Sequence, residues 1–492
     1  MRFIFLSIVC LFFNELTIAQ EVVFSRPEKL SSKIAEFELI GKTNEGVLFM
    51  KWGEQLKEVE ALDPVTLQTR WKKQLNIPGK NFDVIDPVLN FIDEIVLIYT
   101  TRQNGMQFLY AQRYDINMKP IGAAHVLDSV KKKFGSRSFD YDVIYNTDRS
   151  NFAIIKKFDN LSNYEKLEIT IYDRLLKELS KNEVVFNDQQ WYKNSVITIS
   201  GDVFVITGQM KRVLWSTDSQ FESIVIHPIK SGTLNPPLVF GDDGFWINDL
   251  EHAVDNINNN LILGGFYSVR DQRFTKGHFF ASVDFNALTV GSVTYEPFSK
   301  EMIQKNATAM GWGNSLNNNV RSEYLYVTHV IAKSDGGAMI VGENSYSTER
   351  QSPASSTRYA TPMGRLSDQL VVGYSYNDIF VVTTEKDGGL AWSKILTKTQ
   401  YSEEDGGFYS SFAMYNGRKD VRFIFNEEIK YNTNITNFTL AANGETNVKG
   451  LFNSATYQVK MAPRYAYQIS RDEMIVPCYN QRMEFMLAKI AY

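Results

Sequence analysis

Eight short stretches decide the fold: Gly46-Val47-Leu48-Phe49-Met50, Glu94-Ile95-Val96-Leu97-Ile98, Asn151-Phe152-Ala153-Ile154-Ile155, Asp202-Val203-Phe204-Val205-Ile206, Asn260-Leu261-Ile262-Leu263-Gly264, Gly337-Ala338-Met339-Ile340-Val341, Asp420-Val421-Arg422-Phe423-Ile424 and Glu473-Met474-Ile475-Val476. Each is a turn residue followed at once by a short apolar, β-branched or aromatic run. That is the pattern of a strand leaving a hairpin with both faces covered. Successive copies start 48, 57, 51, 58, 77, 83 and 53 residues apart.

A second element sits between them. An alternating strand ends at Asp63, Asp115, Asp173, Asp284 or Asp387, a tight turn follows, and another strand begins. Lys230-Ser231-Gly232 and the hairpin dipeptide Asn443-Gly444 occupy the corresponding place in two further units. Each unit therefore holds four strands, a to d, with the first element as the a–b hairpin and the second as the c–d hairpin. Repeated four-stranded antiparallel units of this length define an all-β fold, a β-propeller. Eight blades are expected, with seven as the alternative count. The last unit has strands near 466–470, 473–478 and 483–492 but no fourth. One spare strand, Glu21–Ser25, precedes the first unit, so the N-terminal strand is expected to close the ring.

Unit six reads Asp335-Gly336-Gly337-Ala338-Met339-Ile340-Val341-Gly342, then Asp378-Ile379-Phe380-Val381-Val382, then Asp387-Gly388-Gly389-Leu390-Ala391-Trp392. Over that one blade the chain resembles the repeat of exported bacterial β-propeller proteins. Asp387 to Trp392 also resembles the Asp-box of sialidase-type propellers, with Glu385 in place of the usual Ser or Thr. The resemblance implies a structural role: Asp caps the c–d turn and Trp packs between sheets. It implies no single activity.

Composition fits one large β domain. Of 492 residues, 44% are hydrophobic, 22% charged and 13% aromatic, which excludes a disordered chain. The net charge of −4 carries no basic excess, so nucleic acid is not an expected partner. The cluster Lys131-Lys132-Lys133 with Arg137 reads as a solvated loop. Residues 1–19 read as a secretory signal peptide: Arg2, the apolar run Phe3–Phe13 and a small residue at Ala19. A lipidated Cys10 is the weaker reading. The protein is thus expected to be exported, periplasmic or extracellular, with 20–492 as one propeller domain and no transmembrane segment. Removal of Cys10 would leave Cys478 alone, a buried thiol with no disulfide.

Catalytic signatures are scarce. The five His are scattered, no metal-ligand spacing occurs, and no phosphate loop is present, so neither metal nor cofactor is expected. Gly311-Trp312-Gly313-Asn314-Ser315-Leu316-Asn317 misses the nucleophile-elbow pattern. The densest acidic group, Asp242-Asp243-Gly244-Phe245-Trp246-Ile247-Asn248-Asp249, reads as a d–a connection or as carboxylates at a funnel mouth. Insertions at 299–321 and 345–374 both belong to the face that carries d–a and b–c loops. Ser299 is placed to cap a short helix. The candidate ligand-binding residues are those of this face: Trp191, Trp215, Trp246, Trp312, Arg350, Arg358, Tyr359, Arg365, Asp242 and Asp243. Aromatics with Arg at a concave mouth suit a glycan or a peptide. The sequence therefore predicts a binding or scaffold module; the alternative is a carbohydrate hydrolase or lyase using carboxylates at the central funnel.

Overall fold

The computed structural model describes residues 21–30, 36–53, 56–77, 80–90, 93–131, 140–160, 163–210, 220–241, 244–270, 274–300, 302, 320–321, 325–351, 370–431 and 433–492. Residues 1–20, read above as the signal peptide, lie outside them. Among the described residues no helix is long and apolar enough to cross a membrane.

Eight antiparallel sheets follow one another along the chain and form a ring. Blade 1 is Glu36–Thr43, Gly46–Trp52, Lys57–Leu62 and Thr69–Gln74. Blade 2 runs from Lys80–Asn90 to Pro120–Lys131, and blade 3 from Asp140–Tyr145 to Glu178–Val185. Blades 4 and 5 begin at Gln190–Ile197 and Phe245–Asp255. Blades 6 and 7 begin at Leu325–Ala332 and Ala413–Asn416. Blade 8 takes Val459–Met461, Tyr467–Gln468, Glu473–Asn480 and Phe485–Ala491 from the C-terminal part of the chain. Its fourth strand is Glu21–Phe24, paired antiparallel with Phe485–Ala491 in the register Val22↔Ile490. The expected eight blades and N-terminal closure are both present.

The apolar runs are explained by where they sit. Second strands are buried on both faces because a blade lies on either side. In Gly46–Trp52, Leu48 and Met50 face blade 2, packing with Ile95, Leu97 and Tyr99. The alternate residues Val47 and Phe49 face blade 8, packing with Ile475, Phe485 and Leu487. Each pair of neighbouring blades around the ring has such a cluster. Outer strands lose this cover, and Pro120–Lys131 is exposed along most of its length.

Turn chemistry follows the sequence reading. Asp115 Oδ1 accepts the N–H groups of Asn117 and Lys119. Asp173 does the same for Leu175 and Lys177, and Asp284 for Asn286 and Ala287. Asp387 accepts from Gly389. These are side-chain-capped turns, each held by the short carboxylate two to four residues upstream. Trp392 packs toward blade 7 and donates its indole N–H to Ala442 O at 3.0 Å. A Cβ on Gly444, whose φ is +82°, would stand 3.0 Å from that indole.

One strand reading needs extending. The 345–374 insertion is not loop throughout. Strand b of blade 6 continues to Gln351 and strand c starts at Leu370, so the blade projects a long hairpin. Gln400–Glu403 pairs with Gly373–Tyr376 and gives the projection a third strand. Blades 4 and 5 do the same on a smaller scale with Leu238–Gly241 and Val320–Arg321.

At the closure seam, Lys51 is fully buried with Nζ at 2.8 Å from Glu28, 3.2 Å from Glu58 and 3.0 Å from Glu60. Glu28 comes from the segment after the N-terminal strand, so this ion cluster ties that segment to blade 1. A cavity of about 240 Å³ beside it is lined by Glu28, Glu60, Lys72 and Phe485, among others. Lys51→Met leaves Glu28, Glu58 and Glu60 with only the half-exposed Lys72 as counter-ion, and a loss of about 2–4 kcal/mol is expected in chemical denaturation. A change within 0.5 kcal/mol would show that the cluster does not hold the seam.

Candidate functional site at the ring mouth

Strand a is the innermost strand of each blade, and its upper end follows the d–a connection. On blades 1 to 3 these inner strands are acidic: Glu36 and Glu38, Asp83 and Asp86, Asp140 and Asp142, with Asp86 in the middle of its strand. Asp140 and Asp142 are neutralised by Lys157, at 3.4 and 2.7 Å. Glu38 and Asp86 have no ion pair or hydrogen bond among the described residues.

The charge of Asp86 acts on Glu38 across the blade 1–blade 2 boundary. Burial, then the charge of Asp86, then that of Glu36, push Glu38 up to about 8. Burial pushes Asp86 up to about 6, partly offset by the Arg149 guanidinium. Tyr145 is raised by burial and then by Asp86, with smaller effects from Tyr467 and Glu38. Arg149 lies 3.5 Å above the Tyr145 ring. Along the inner strands of blades 8, 1, 2 and 3, Glu38 and Asp86 stand midway, while Tyr467 and Tyr145 lie toward the a–b turns, Tyr145 beside the turn that carries Arg149. Of the two, Glu38 holds its proton to the higher pH.

The opposite side of the mouth is built differently. Inner strands carry β-bulges in blades 1, 2, 4, 5 and 6, which re-aim the residues beside them. In blade 4 the bulge falls at Lys193, whose Nζ meets Asp249 Oδ1 at 3.1 Å. Asp249 Oδ2 accepts the N–H of Val327 at 3.0 Å. One carboxylate thus bridges the inner strands of blades 4, 5 and 6.

Among the sequence candidates, Trp191 and Trp246 stand at the upper ends of the inner strands of blades 4 and 5. Trp191 packs on the core between those blades, opposite Gly208 in the ladder. Trp246 lies opposite Ser268. The connection expected at 242–249 is strand from Phe245 onward, which puts Asp249 in the inner wall rather than in a loop. Arg350 is on strand b of blade 6, opposite Val371. Asp242, Asp243, Trp215, Trp312, Arg358, Tyr359 and Arg365 lie outside the described residues. Ser299 Oγ accepts the Met302 N–H at 3.1 Å, the cap expected there. Among the described residues no group of three His, Cys, Asp or Glu could hold a metal ion. Cys478 is buried, its thiol pushed up by burial, with Sγ donating to Met486 O.

The acidic inner strands escaped the sequence reading. Their one signal is local: Glu36-Phe37-Glu38-Leu39 and Asp83-Val84-Ile85-Asp86 place carboxylates inside strands that precede an a–b turn.

No protein-family model matches the chain, and no curated protein matches it in sequence. Solved structures resemble it in fold. The polysaccharide lyase Uly1 is 8% identical, with 93% of this chain and 99% of that one covered at a TM-score of 0.40. The Nup133 β-propeller domain of Vanderwaltozyma polyspora is 9% identical over 84% of this chain and 99% of its own, also at 0.40. The Dos1 propeller is 8% identical over 83% and 92%, at 0.37. Likenesses at this level say nothing of ligand or activity.

Glu38 binds its proton more tightly folded than unfolded, because its folded value lies above the ordinary carboxyl range. Its contribution is therefore favourable only at low pH and is lost as pH rises from about 4.5 to about 8. Glu38→Gln is expected to stabilise the protein by about 1–3 kcal/mol at pH 8 and to leave it unchanged at pH 4, read by thermal melts. Equal melting shifts at both values would contradict the assignment.

Proposed function

We propose that the chain is an exported propeller of the bacterial repeat type that binds glycans along its central channel. The carrying observation is the Glu38–Asp86 pair, two carboxyl groups on adjoining blades with no ion pair or hydrogen bond among the described residues, with Tyr145 and Tyr467 toward the a–b turns. Carboxylates accept hydrogen bonds from sugar hydroxyls in two directions, and tyrosine rings offer a flat apolar face with a polar tip. Export is supported by the leader-like residues 1–19.

A second reading rests on the asymmetry of the same pair. A protonated Glu38 beside an ionised Asp86 is the arrangement of a general acid and its partner base, so cleavage of the bound glycan is the alternative.

The test is an array of defined oligosaccharides on the protein lacking residues 1–19, followed by titration of the best ligand. Asp86→Asn is expected to weaken binding at least tenfold without lowering the melting temperature. Under the second reading, new chain ends appear on incubation, and Glu38→Gln slows their appearance about 100-fold or more. Binding unaltered in Asp86→Asn and Glu38→Gln would remove the mouth from consideration.

A further inference from the structure

Blade 8 contributes the one part of the mouth with unneutralised positive charge on the described inner strands. Its inner strand is interrupted: Val459–Met461 is followed by a single turn at Pro463–Tyr465, then Tyr467–Gln468. Lys460 and Arg464 stand on either side of the break. Both converge on the turn Asp405–Tyr409, which belongs to the d–a connection between blades 6 and 7.

Neither cation has a carboxylate at ion-pair distance among the described residues. Arg464 donates to the Tyr376 hydroxyl at 3.1 Å and to the carbonyls of Gly406 and Gly407 at 3.2 and 2.6 Å. All three acceptors are neutral, so they fix the guanidinium without cancelling its charge. Lys460 Nζ lies 4.4 Å from the centre of the Tyr431 ring and 5.2 Å from that of Tyr409. Burial lowers its pKa, offset in part by Asp405. That carboxylate is already engaged, accepting from Ser402 Oγ at 2.7 Å and Gly407 N–H at 2.8 Å.

The aromatic surface beside the cations is continuous. Tyr465 is 47% exposed, its ring 4.9 Å from Phe408 and 6.1 Å from Phe37 of blade 1. Phe37 packs toward blade 8, and Glu38, next in the same strand, points to the opposite face toward blade 2, so the cations and the carboxyl pair flank the inner strand of blade 1 from its two sides.

From this arrangement we infer that the glycan is anionic, carrying carboxylate or sulfate on its sugar rings, and that Lys460 and Arg464 take the anion while Tyr465 takes the adjoining ring. The inference rests on the glycan reading above and specifies its ligand. A partly desolvated cation held only by π faces and neutral acceptors gains most from an anionic ligand. An acidic peptide suits the site less well. Its closely spaced charges would meet Glu36, Glu38, Asp83 and Asp86 across the mouth. A sugar polymer instead separates each anion by hydroxyl-bearing rings that those carboxyl groups can accept from.

The experiment is calorimetric titration of the protein with four probes: a uronate oligomer, a sulfated oligomer, a neutral glucan oligomer of equal length and oligoglutamate. One of the two anionic sugars is expected to bind at least tenfold more tightly than the neutral one, and the stronger of them identifies the anion. Lys460→Gln and Arg464→Gln are each expected to cost that ligand about tenfold, while Lys460→Arg retains most of the affinity. Melting temperatures of all variants are measured alongside, and the charge-retaining variant separates loss of charge from loss of fold. Neutral glucan binding as tightly as either anionic sugar, with sensitivity to Asp86→Asn but not to Lys460→Gln, overturns this inference and leaves the glycan reading standing. Binding of no sugar probe overturns both. Oligoglutamate as the tightest ligand replaces them with a peptide site.

Discussion

A propeller has to be closed, and here the closure is made by one strand from the far end of the chain. Pairing of Glu21–Phe24 with Phe485–Ala491 completes blade 8 with a strand from the other end of the chain and so ties the two ends of the ring together. Side chains reinforce it on both sides of the seam. Lys51 gathers Glu28, Glu58 and Glu60 in the interior. Lys42 of blade 1 pairs with Glu473 of blade 8 at 2.5 Å, and Lys489 donates to Pro64 O at 2.6 Å. A hydrophobic cluster shared by the two blades, including Phe49 and Phe485, fills the wedge between them.

The mouth depends on that closure. Glu38 and Phe37 belong to blade 1, whereas Lys460, Arg464, Tyr465 and Tyr467 belong to blade 8. The candidate site therefore straddles the seam, and its geometry exists only while the ring is shut. Charge is distributed unevenly around the opening. Blades 1 and 2 supply Glu38 and Asp86, which have no ion pair or hydrogen bond among the described residues, the blade 5 carboxylate Asp249 is tied up by Lys193 and a backbone N–H, and blade 8 supplies cations. Such a polarity across a single opening orients a ligand as well as holding it.

The architecture was legible because it depends on local patterns repeated eight times. A second strand such as Glu94–Gln103 is buried on both faces, so its apolar run survives in any single copy. The Asp residues that end third strands are read equally well, since the carboxylate caps its own turn. Strand limits in blade 6 were hidden by composition. Ser345–Gln351 is rich in Ser, Thr, Glu and Arg and reads as loop, yet it pairs with Leu370–Tyr376, which is in turn bordered by Gln400–Glu403. The site was the least legible part. Glu36-Phe37-Glu38-Leu39 alternates like any half-exposed strand. Only the ring shows that its polar face meets Asp83 and Asp86 of the next blade rather than solvent. Of the tryptophans singled out from sequence, Trp191 and Trp246 stand at the starts of inner strands, and Trp191 packs on the core between blades 4 and 5.

Hydrogen–deuterium exchange across Phe485–Ala491 tests closure, on which both seam and site rest. With the N-terminal strand in place, these amides lie in an interior strand and are expected to be protected as strongly as those of Glu94–Gln103. Exchange as rapid as that of the exposed outer strand Pro120–Lys131 would mean that the ring is open, and would contradict the account.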